Sequence, residues 1–112
     1  MLPRVYRLKS KHDFKKVYKY GRSYANIYLV IYVYKKKDNQ KPRVGFSVSK
    51  KIGSAVVRNK IKRRMREVLR PLMGLLIKNV DIIFIARKKI NGATYQDIKC
   101  SINKLLKKMS LI

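Results

Sequence analysis

The sequence predicts one α+β domain of two layers, in which helices pack on a mixed sheet. Three stretches have the β-branched and aromatic composition of strands, at 23–35, 42–49 and 80–86. Helical patterns lie near both ends of the chain, and a further one separates the second strand from the third. That order suggests one βαβ crossover within the sheet. Without a repeat or a linker, the chain forms a single domain over 1–112.

Composition indicates a folded, nucleic-acid-binding protein. The chain has 112 residues and 46% hydrophobic content, enough for a modest core. Its 30 Lys and Arg against 5 acids give a formal charge of +25, which favours a polyanionic partner. No apolar run reaches the roughly 18–20 residues of a membrane span, and no secretion signal opens the chain. We therefore expect no membrane partner and a cytoplasmic location.

The residue types that perform bond-breaking chemistry are scarce. There is one cysteine and one histidine, and the five acids are scattered singly. This argues against a disulfide, a zinc site, a carboxylate pair or a metal cage built by the protein. No glycine-rich phosphate loop is present. We expect neither catalytic residues nor a metal site on the chain.

The first predicted helix covers 11–20. Ser10 with Asp13 three positions later resembles a capping box, and Gly21 ends the helix. Three side chains share one side of it by their spacing: Phe14, Val17 and Tyr18. The two aromatic ones either pack this helix on the domain or line a binding surface.

The stretch 23–35 is predicted as one long alternating strand. Its core face carries Ala25, Ile27, Leu29, Ile31 and Val33. Its other face carries Tyr24, Tyr28, Val30, Tyr32 and Tyr34. The tyrosines either fill a sheet face or form a platform on which unpaired bases stack.

A polar turn at 36–41 leads to the next predicted strand. One face of that strand is apolar, with Val44, Phe46 and Val48. The other carries Arg43, Gly45, Ser47 and Ser49. Because most of these are small, they leave room beside the tyrosines, and a glycine permits close approach to the backbone.

A basic helix is predicted over 55–70. Ser54 caps its start, and Pro71 stops it by biasing Arg70 away from helical geometry. An apolar arc comprises Val57, Ile61, Met65, Val68 and Leu69. Beside it lie Asn59, Lys62, Arg63, Arg66 and Arg70, while Lys60 and Arg64 lie on the far side. With Glu67 as its single acid, the helix suits phosphate better than a solvated face of mixed charge.

The last third of the chain predicts one strand and one helix. The segment 72–77 is apolar but has no clear assignment. The run 80–86 is continuous and β-branched, as in a strand buried on both faces. A basic loop at 87–92 precedes a helix over 95–109, which Thr94 and Asp97 cap.

The run SVSKKIGSAVVRNKIKRRMRE at 47–67 resembles the signature of the bacterial ribonuclease P protein component. Asp13-Phe14, Val17-Tyr18 and Gly21 resemble a second segment of that family, as do 43–49 and Ala86-Arg87. The resemblance implies αβββαβα order, a four-stranded mixed sheet and a left-handed βαβ crossover, which is rare. The sequence itself indicates three strands, so the fourth would come from a short break within 23–35 or from a separate edge strand.

The resemblance also implies a function. In this family the RNA subunit is the ribozyme of a ribonucleoprotein endonuclease, a hydrolase that removes the 5′ leader of precursor tRNA. Its Mg²⁺ ions are held mainly by RNA. The protein binds the RNA subunit and the single-stranded leader, requires no protein partner and is not catalytic alone.

Site residues follow from the matched positions. The positions implied to bind the RNA subunit are Lys50, Lys51, Arg58, Asn59, Lys60, Lys62, Arg63 and Arg66. Those implied to form the leader-binding cleft are Phe14, Tyr18, Tyr32, Ser47 and Ser49. Lys60 stands where the family has Arg and lacks its planar fork, and Tyr18 stands in place of Phe.

The main alternative is a structural RNA-binding protein of ribosomal type with no role in cleavage. Such a protein would carry similar charge but would need no channel for a single strand. A DNA-binding regulator would normally present paired recognition helices, and no dimerisation pattern is present. A protein-only nuclease conflicts with the shortage of acids and histidine.

Overall fold

The computed structural model describes residues 3–37 and 40–112. Its helices and strands are α1 (Lys11–Tyr20), β1 (Arg22–Ala25), β2 (Leu29–Lys35), β3 (Arg43–Ser47), α2 (Ala55–Leu69), β4 (Val80–Ala86) and α3 (Tyr95–Lys108). Short 3₁₀ segments occur at Arg4–Tyr6, Arg70–Leu75 and Lys88–Ile90. The turn predicted at 36–41 includes positions 38 and 39, which lie outside the described residues.

The four strands form one mixed sheet in the order β1-β2-β4-β3. β2 pairs antiparallel with both β1 and β4, whereas β3 and β4 are parallel. The parallel pair is connected through α2, which confirms the predicted βαβ unit and the αβββαβα order. The left hand of this crossover stays a prediction.

The stretch 23–35 is not one strand, because the chain folds back at Asn26. The fourth strand comes from this break, which confirms one of the two sources left open for it. The Asn26 side-chain oxygen accepts hydrogen bonds from the backbone N–H groups of Tyr28 and Leu29, at 3.2 and 3.0 Å. An asparagine side chain that bonds its own following backbone is a common way to make a turn. The Ser101 hydroxyl on α3 donates to the same oxygen at 2.8 Å, which holds the turn against the domain.

Helices cover both faces of the sheet. The larger core lies between the sheet and the pair α2 and α3, and it includes Ile31, Phe84, Met65 and Ile102, all fully buried. On the opposite face α1 buries Val17 in a smaller cluster with Leu8 and Ile83. α1 thus adds a helix outside the two predicted layers.

The caps explain where the helices begin. The Ser54 hydroxyl accepts from the Val57 N–H at 3.3 Å, as predicted for α2. Thr94 and Asp97 form the reciprocal capping box predicted for α3. At α1 the Ser10 hydroxyl accepts from the His12 N–H instead, and Asp13 pairs with Arg43.

The predicted stop at Pro71 is wrong in one respect. Arg70 has φ −49° and ψ −51°, so it stays helical, and Pro71 occupies the first turn of the 3₁₀ segment Arg70–Leu75. Proline is tolerated there because that turn leaves its first N–H groups unbonded in any case. Within residues 3–37 and 40–112, no helix is long and apolar enough to cross a membrane.

Candidate nucleic-acid interface

Aromatic side chains of α1 meet the sheet along one flank of the helix, a surface that we call the cleft. Phe14 and Tyr18 belong to α1, and Tyr32 belongs to β2. The ring centroids of Phe14 and Tyr18 are 6.2 Å apart at an angle of 65°, and those of Tyr18 and Tyr32 are 5.1 Å apart at 88°. Both are edge-to-face contacts, a favourable geometry for aromatic pairs. The structure therefore brings the three predicted aromatic residues into one connected series.

The cleft floor consists of three neighbouring residues from three strands. Ile85 on β4 lies opposite Val30 on β2 and Ser47 on β3. Every other residue of β4 is buried, and Ile85 alone is partly accessible. The apolar run of this strand has no alternation, so the sequence offered no signal for an open position there.

Small residues on β3 make space for the aromatic rings. A Cβ atom on Gly45 would lie 2.5 Å from Cζ and 2.9 Å from Cε1 of Phe14. Real Cβ atoms do not approach another atom that closely, so the Phe14 ring can rest on β3 only because residue 45 is glycine. This confirms the predicted close approach at this position.

The hydroxyl of Tyr18 is partly withdrawn from water. Burial raises the pKa of Tyr18, a hydrogen bond with the Ser47 side chain offsets part of this, and nearby Tyr32 adds a smaller increase. Tyr18 is nevertheless 40% exposed, so its ring remains accessible to a ligand. The residue presents a neutral hydroxyl and an aromatic surface at neutral pH.

Two of the four tyrosines predicted to share a face lie elsewhere. Tyr24 is paired with Ile31, which places it on the side of the larger core, where Lys108 Nζ lies 5.1 Å from its ring centroid. Tyr28 also packs against that core. The turn at Asn26 reverses the chain and changes which residues share a side. Only Tyr32 and Tyr34 keep the predicted face.

The same turn corrects part of the predicted core face. Leu29, Ile31 and Val33 are buried as predicted. Ala25 and Ile27, in contrast, are exposed, and Ile27 retains 54% of its accessible surface. They belong to the edge strand and its turn, where little of the domain covers them.

A buried carboxylate anchors α1 on the sheet. Asp81 on β4 is 3% exposed and accepts two hydrogen bonds from Arg43, at 3.0 Å from Nε and 2.9 Å from Nη2. Lys36 Nζ lies 3.1 Å from the same carboxylate. Arg43 Nη1 lies 3.3 Å from Asp13 on α1, and these bonds raise the pKa of Arg43. Arg43 therefore joins the sheet to α1 through Asp13, the residue directly before Phe14.

The basic side chains of α2 are largely accessible. Asn59, Lys60 and Arg63 are exposed, whereas Arg58, Lys62 and Arg66 are half-buried. The Arg66 guanidinium carbon lies 5.9 Å from the ring centroid of Phe46. Arg64 is engaged structurally, since its Nη1 donates to the Ala93 carbonyl at 3.0 Å.

Arg58 is half-buried on α2. Its Nε atom is buried and has no hydrogen-bond partner among the described residues. A buried donor without a partner is costly, and an anion at the outer end of the guanidinium would offset that cost. A phosphate is one anion that would supply this charge.

The remaining predicted residues lie between β3 and α2. Lys50 and Lys51 are exposed in the turn that joins these elements. Ser49 is exposed beyond the end of β3, where its carbonyl accepts from the Ile52 N–H at 3.1 Å. Ser47 thus contacts the aromatic series through Tyr18, whereas Ser49 belongs to the turn.

Two basic residues that border the site were missed. Arg7 and Lys9 belong to the segment before α1, and they line a cavity together with Phe14, Lys62 and Arg66. A signal was present, because Leu8 is buried between two basic residues, an alternation typical of a strand. Arg7 in fact forms a single parallel bridge with Val44.

Comparison with known proteins shows the family. The family model described as Ribonuclease P matches residues 2–110. A protein of Clostridioides difficile named ribonuclease P protein component is 48% identical over 105 residues, which cover 93% of this chain and 91% of the relative. A ribonuclease P protein component of Clostridium kluyveri is 46% identical, with 96% of both chains covered.

A solved structure is similar throughout. The ribonuclease P protein of Staphylococcus aureus superposes with a TM-score of 0.86 at 42% identity, covering 95% of this chain and 96% of the other. From these similarities and its fold, this chain belongs to the ribonuclease P protein family, the protein component of a ribonucleoprotein endoribonuclease that processes tRNA.

Proposed function

We propose that this protein holds the single-stranded 5′ leader of precursor tRNA in the cleft beside α1 while α2 binds the catalytic RNA subunit. The observation that carries the proposal is the aromatic series of Phe14, Tyr18 and Tyr32 over an open floor. Each base has a flat face, so stacking on such rings tolerates any sequence. That property suits a leader that differs from one tRNA to the next.

The second surface supplies electrostatic attraction. Arg58, Lys62, Arg63 and Arg66 lie on one helix with Glu67 as its only acid. Each phosphate contact releases counterions, so affinity falls with salt at a logarithmic slope of about −0.9 per contact on a duplex and about −0.7 on a single strand. Such contacts hold the RNA subunit without reading its sequence.

The chemistry is assigned to the RNA subunit and to Mg²⁺ held mainly by that RNA. Three of the chain's five carboxylates are committed to structure, because Asp13 and Asp81 pair with Arg43 and Asp97 caps α3. The protein's own contribution is to neutralise phosphate charge and position the leader. By lowering repulsion between RNA segments, it reduces the Mg²⁺ concentration that cleavage requires.

The test is cleavage of precursor tRNA by a bacterial ribonuclease P RNA at low Mg²⁺, with and without the protein. Correct 5′ cleavage should appear only when both subunits are present, and the protein alone should be inactive. Binding of the RNA without any change in cleavage would favour the structural RNA-binding alternative, which family membership disfavours. The cytoplasm is the proposed location, where precursor tRNA is made in bacteria.

A further inference from the structure

The cavity that Phe14 shares with Arg7 and Lys9 lies beside the edge strand β3. It measures about 160 Å³. Its walls come from the N-terminal segment, α1, β3 and α2, and Phe14 and Gly45 border it toward the cleft. The cavity therefore lies between the aromatic cleft and the basic helix, the two surfaces that the proposed function uses.

The described charged residues around this cavity all have one sign. Among the residues that the structure describes, four cationic side chains line it and no carboxylate does: Arg7, Lys9, Lys62 and Arg66. Two of the four come from α2 and two from the N-terminal segment. Lys9, Lys62 and Arg66 place like charges around one small cavity, and an anion between them relieves their repulsion.

The N-terminal segment is held in place by the sheet. The Leu8 N–H donates to the Val44 carbonyl at 3.0 Å, and the Leu8 side chain is 4% exposed, packed with Val17 and Ile83. Because neighbouring side chains of an extended segment point to opposite sides, Arg7 and Lys9 are directed away from this small core. Their side chains border the cavity as a result of that anchoring.

The α2 side of the cavity is also preorganised. Arg66 lies over the Phe46 ring at 5.9 Å, and Phe46 in turn stacks on buried Phe84 at 6.3 Å between centroids. A guanidinium that rests on an aromatic face keeps its edge N–H groups available for an anion. Lys62 lies one helical turn earlier on the same flank, where its ammonium adds a second charge.

We propose that this cavity binds a phosphodiester group of RNA, with Lys9 closing it opposite Lys62 and Arg66. The inference rests on the proposed function, since it continues the path of an RNA strand past Phe14. A base stacked on Phe14 places its own backbone within a few ångströms of the ring, where the cationic cavity receives the phosphate. The N-terminal segment is thereby part of the RNA-binding surface rather than a tail.

The test replaces Lys9, which is exposed and outside the residues assigned above to either surface. Lys9→Ala is compared with Lys99→Ala, which removes the same charge from an exposed position of α3, and with Lys9→Arg, which keeps it. Urea unfolding verifies that all three variants fold. Two affinities are measured over a range of salt concentrations. The first is that of each protein variant for the RNA subunit, and the second is that of each assembled holoenzyme for precursor tRNA and for mature tRNA.

We expect Lys9→Ala to weaken one of these interactions. The slope of log affinity against log salt concentration should become less steep by about 0.7 to 0.9, the value of one phosphate contact. Lys9→Arg should restore the slope, and Lys99→Ala should leave it unchanged. A loss confined to precursor tRNA identifies a leader phosphate, and a loss in binding the RNA subunit identifies a phosphate of that subunit. If Lys9→Ala and Lys99→Ala behave alike in every assay, the cavity is not a phosphate site.

This outcome is separable from failure of the proposed function. Leader binding by the cleft is reported by Phe14 variants, whereas the phosphate site is reported by the difference between the two lysine variants. If Phe14 variants lower leader affinity while Lys9→Ala behaves like Lys99→Ala, the proposed function stands and the phosphate site is refuted.

Discussion

The ring of Phe14 rests on the backbone of Gly45, and a Cβ atom on that glycine would lie 2.5 Å from the ring. Gly45→Ala should therefore displace Phe14 from the cleft wall. We expect the leader's contribution to precursor binding to fall by up to about 1–3 kcal/mol, the stacking energy of one base. The measurement is the affinity of the holoenzyme for precursor tRNA compared with mature tRNA.

The matched control for this change is Gly74→Ala, since a Cβ atom there would meet nothing within 4 Å. It should leave leader affinity unchanged. Equal leader affinity for Gly45→Ala and Gly74→Ala would contradict a role for the position of Phe14.

The aromatic faces, rather than apolar volume alone, should bind the leader. Phe14→Leu keeps an apolar side chain but removes the ring, and we expect a loss of roughly 1–3 kcal/mol in leader binding. Tyr18→Phe keeps the ring and should bind nearly as well, whereas Tyr18→Leu should lose affinity as Phe14→Leu does. Equal binding by the leucine and phenylalanine variants of Tyr18 would contradict stacking.

Arg43 should contribute to stability through buried Asp81. Breaking a buried ion pair costs roughly 3–5 kcal/mol, and the loss for Arg43→Gln should fall below this because Lys36 remains beside the carboxylate. Asp13→Asn removes only the more exposed pair with Arg43, for which we expect about 0–1 kcal/mol. Urea titration measures both, and an equal loss for the two variants would contradict this ranking.

Tyr18 should make stability fall at alkaline pH. Its raised pKa means that the unfolded chain releases this proton before the folded chain does. The contribution of Tyr18 to the free energy of unfolding is complete below the ordinary tyrosine pKa, and it is lost as pH rises through the raised pKa. Tyr18→Phe should show a shallower alkaline decline in the free energy of unfolding.

Tyr95→Phe, at the exposed start of α3, controls for removing a hydroxyl. A decline identical to the wild type's in Tyr18→Phe would refute this assignment.

Local signals explain how much of the fold the sequence could predict. The limits of α1 and the start of α2 follow from Ser10, Gly21 and Ser54, whose effects act within a turn of the helix. The sequence did not indicate that the break within 23–35 lies at Asn26, because strand-forming residues continue on both sides of it. Its side chain is fixed by Ser101, 75 positions away, a contact that no local pattern reveals.

The site was predictable to a similar extent. The aromatic residues of α1 and β2 and the small residues of β3 have spacings that place them on facing surfaces. Ile85 could not be assigned in the same way, because its accessibility depends on how α1 packs on the sheet, which is a tertiary property. For Lys9 the alternation around Leu8 was a local signal, but its place beside Phe14 depends on how the N-terminal segment follows β3.

The most direct test of the central claim is a leader-length series. Affinity for precursor tRNA is measured with leaders of increasing length, for the RNA subunit alone and for the holoenzyme with this protein. We predict that affinity rises with the first leader nucleotides and then levels off only when the protein is present, and that Phe14→Leu reduces this gain. An identical gain for the RNA subunit alone would contradict the claim that the cleft holds the leader.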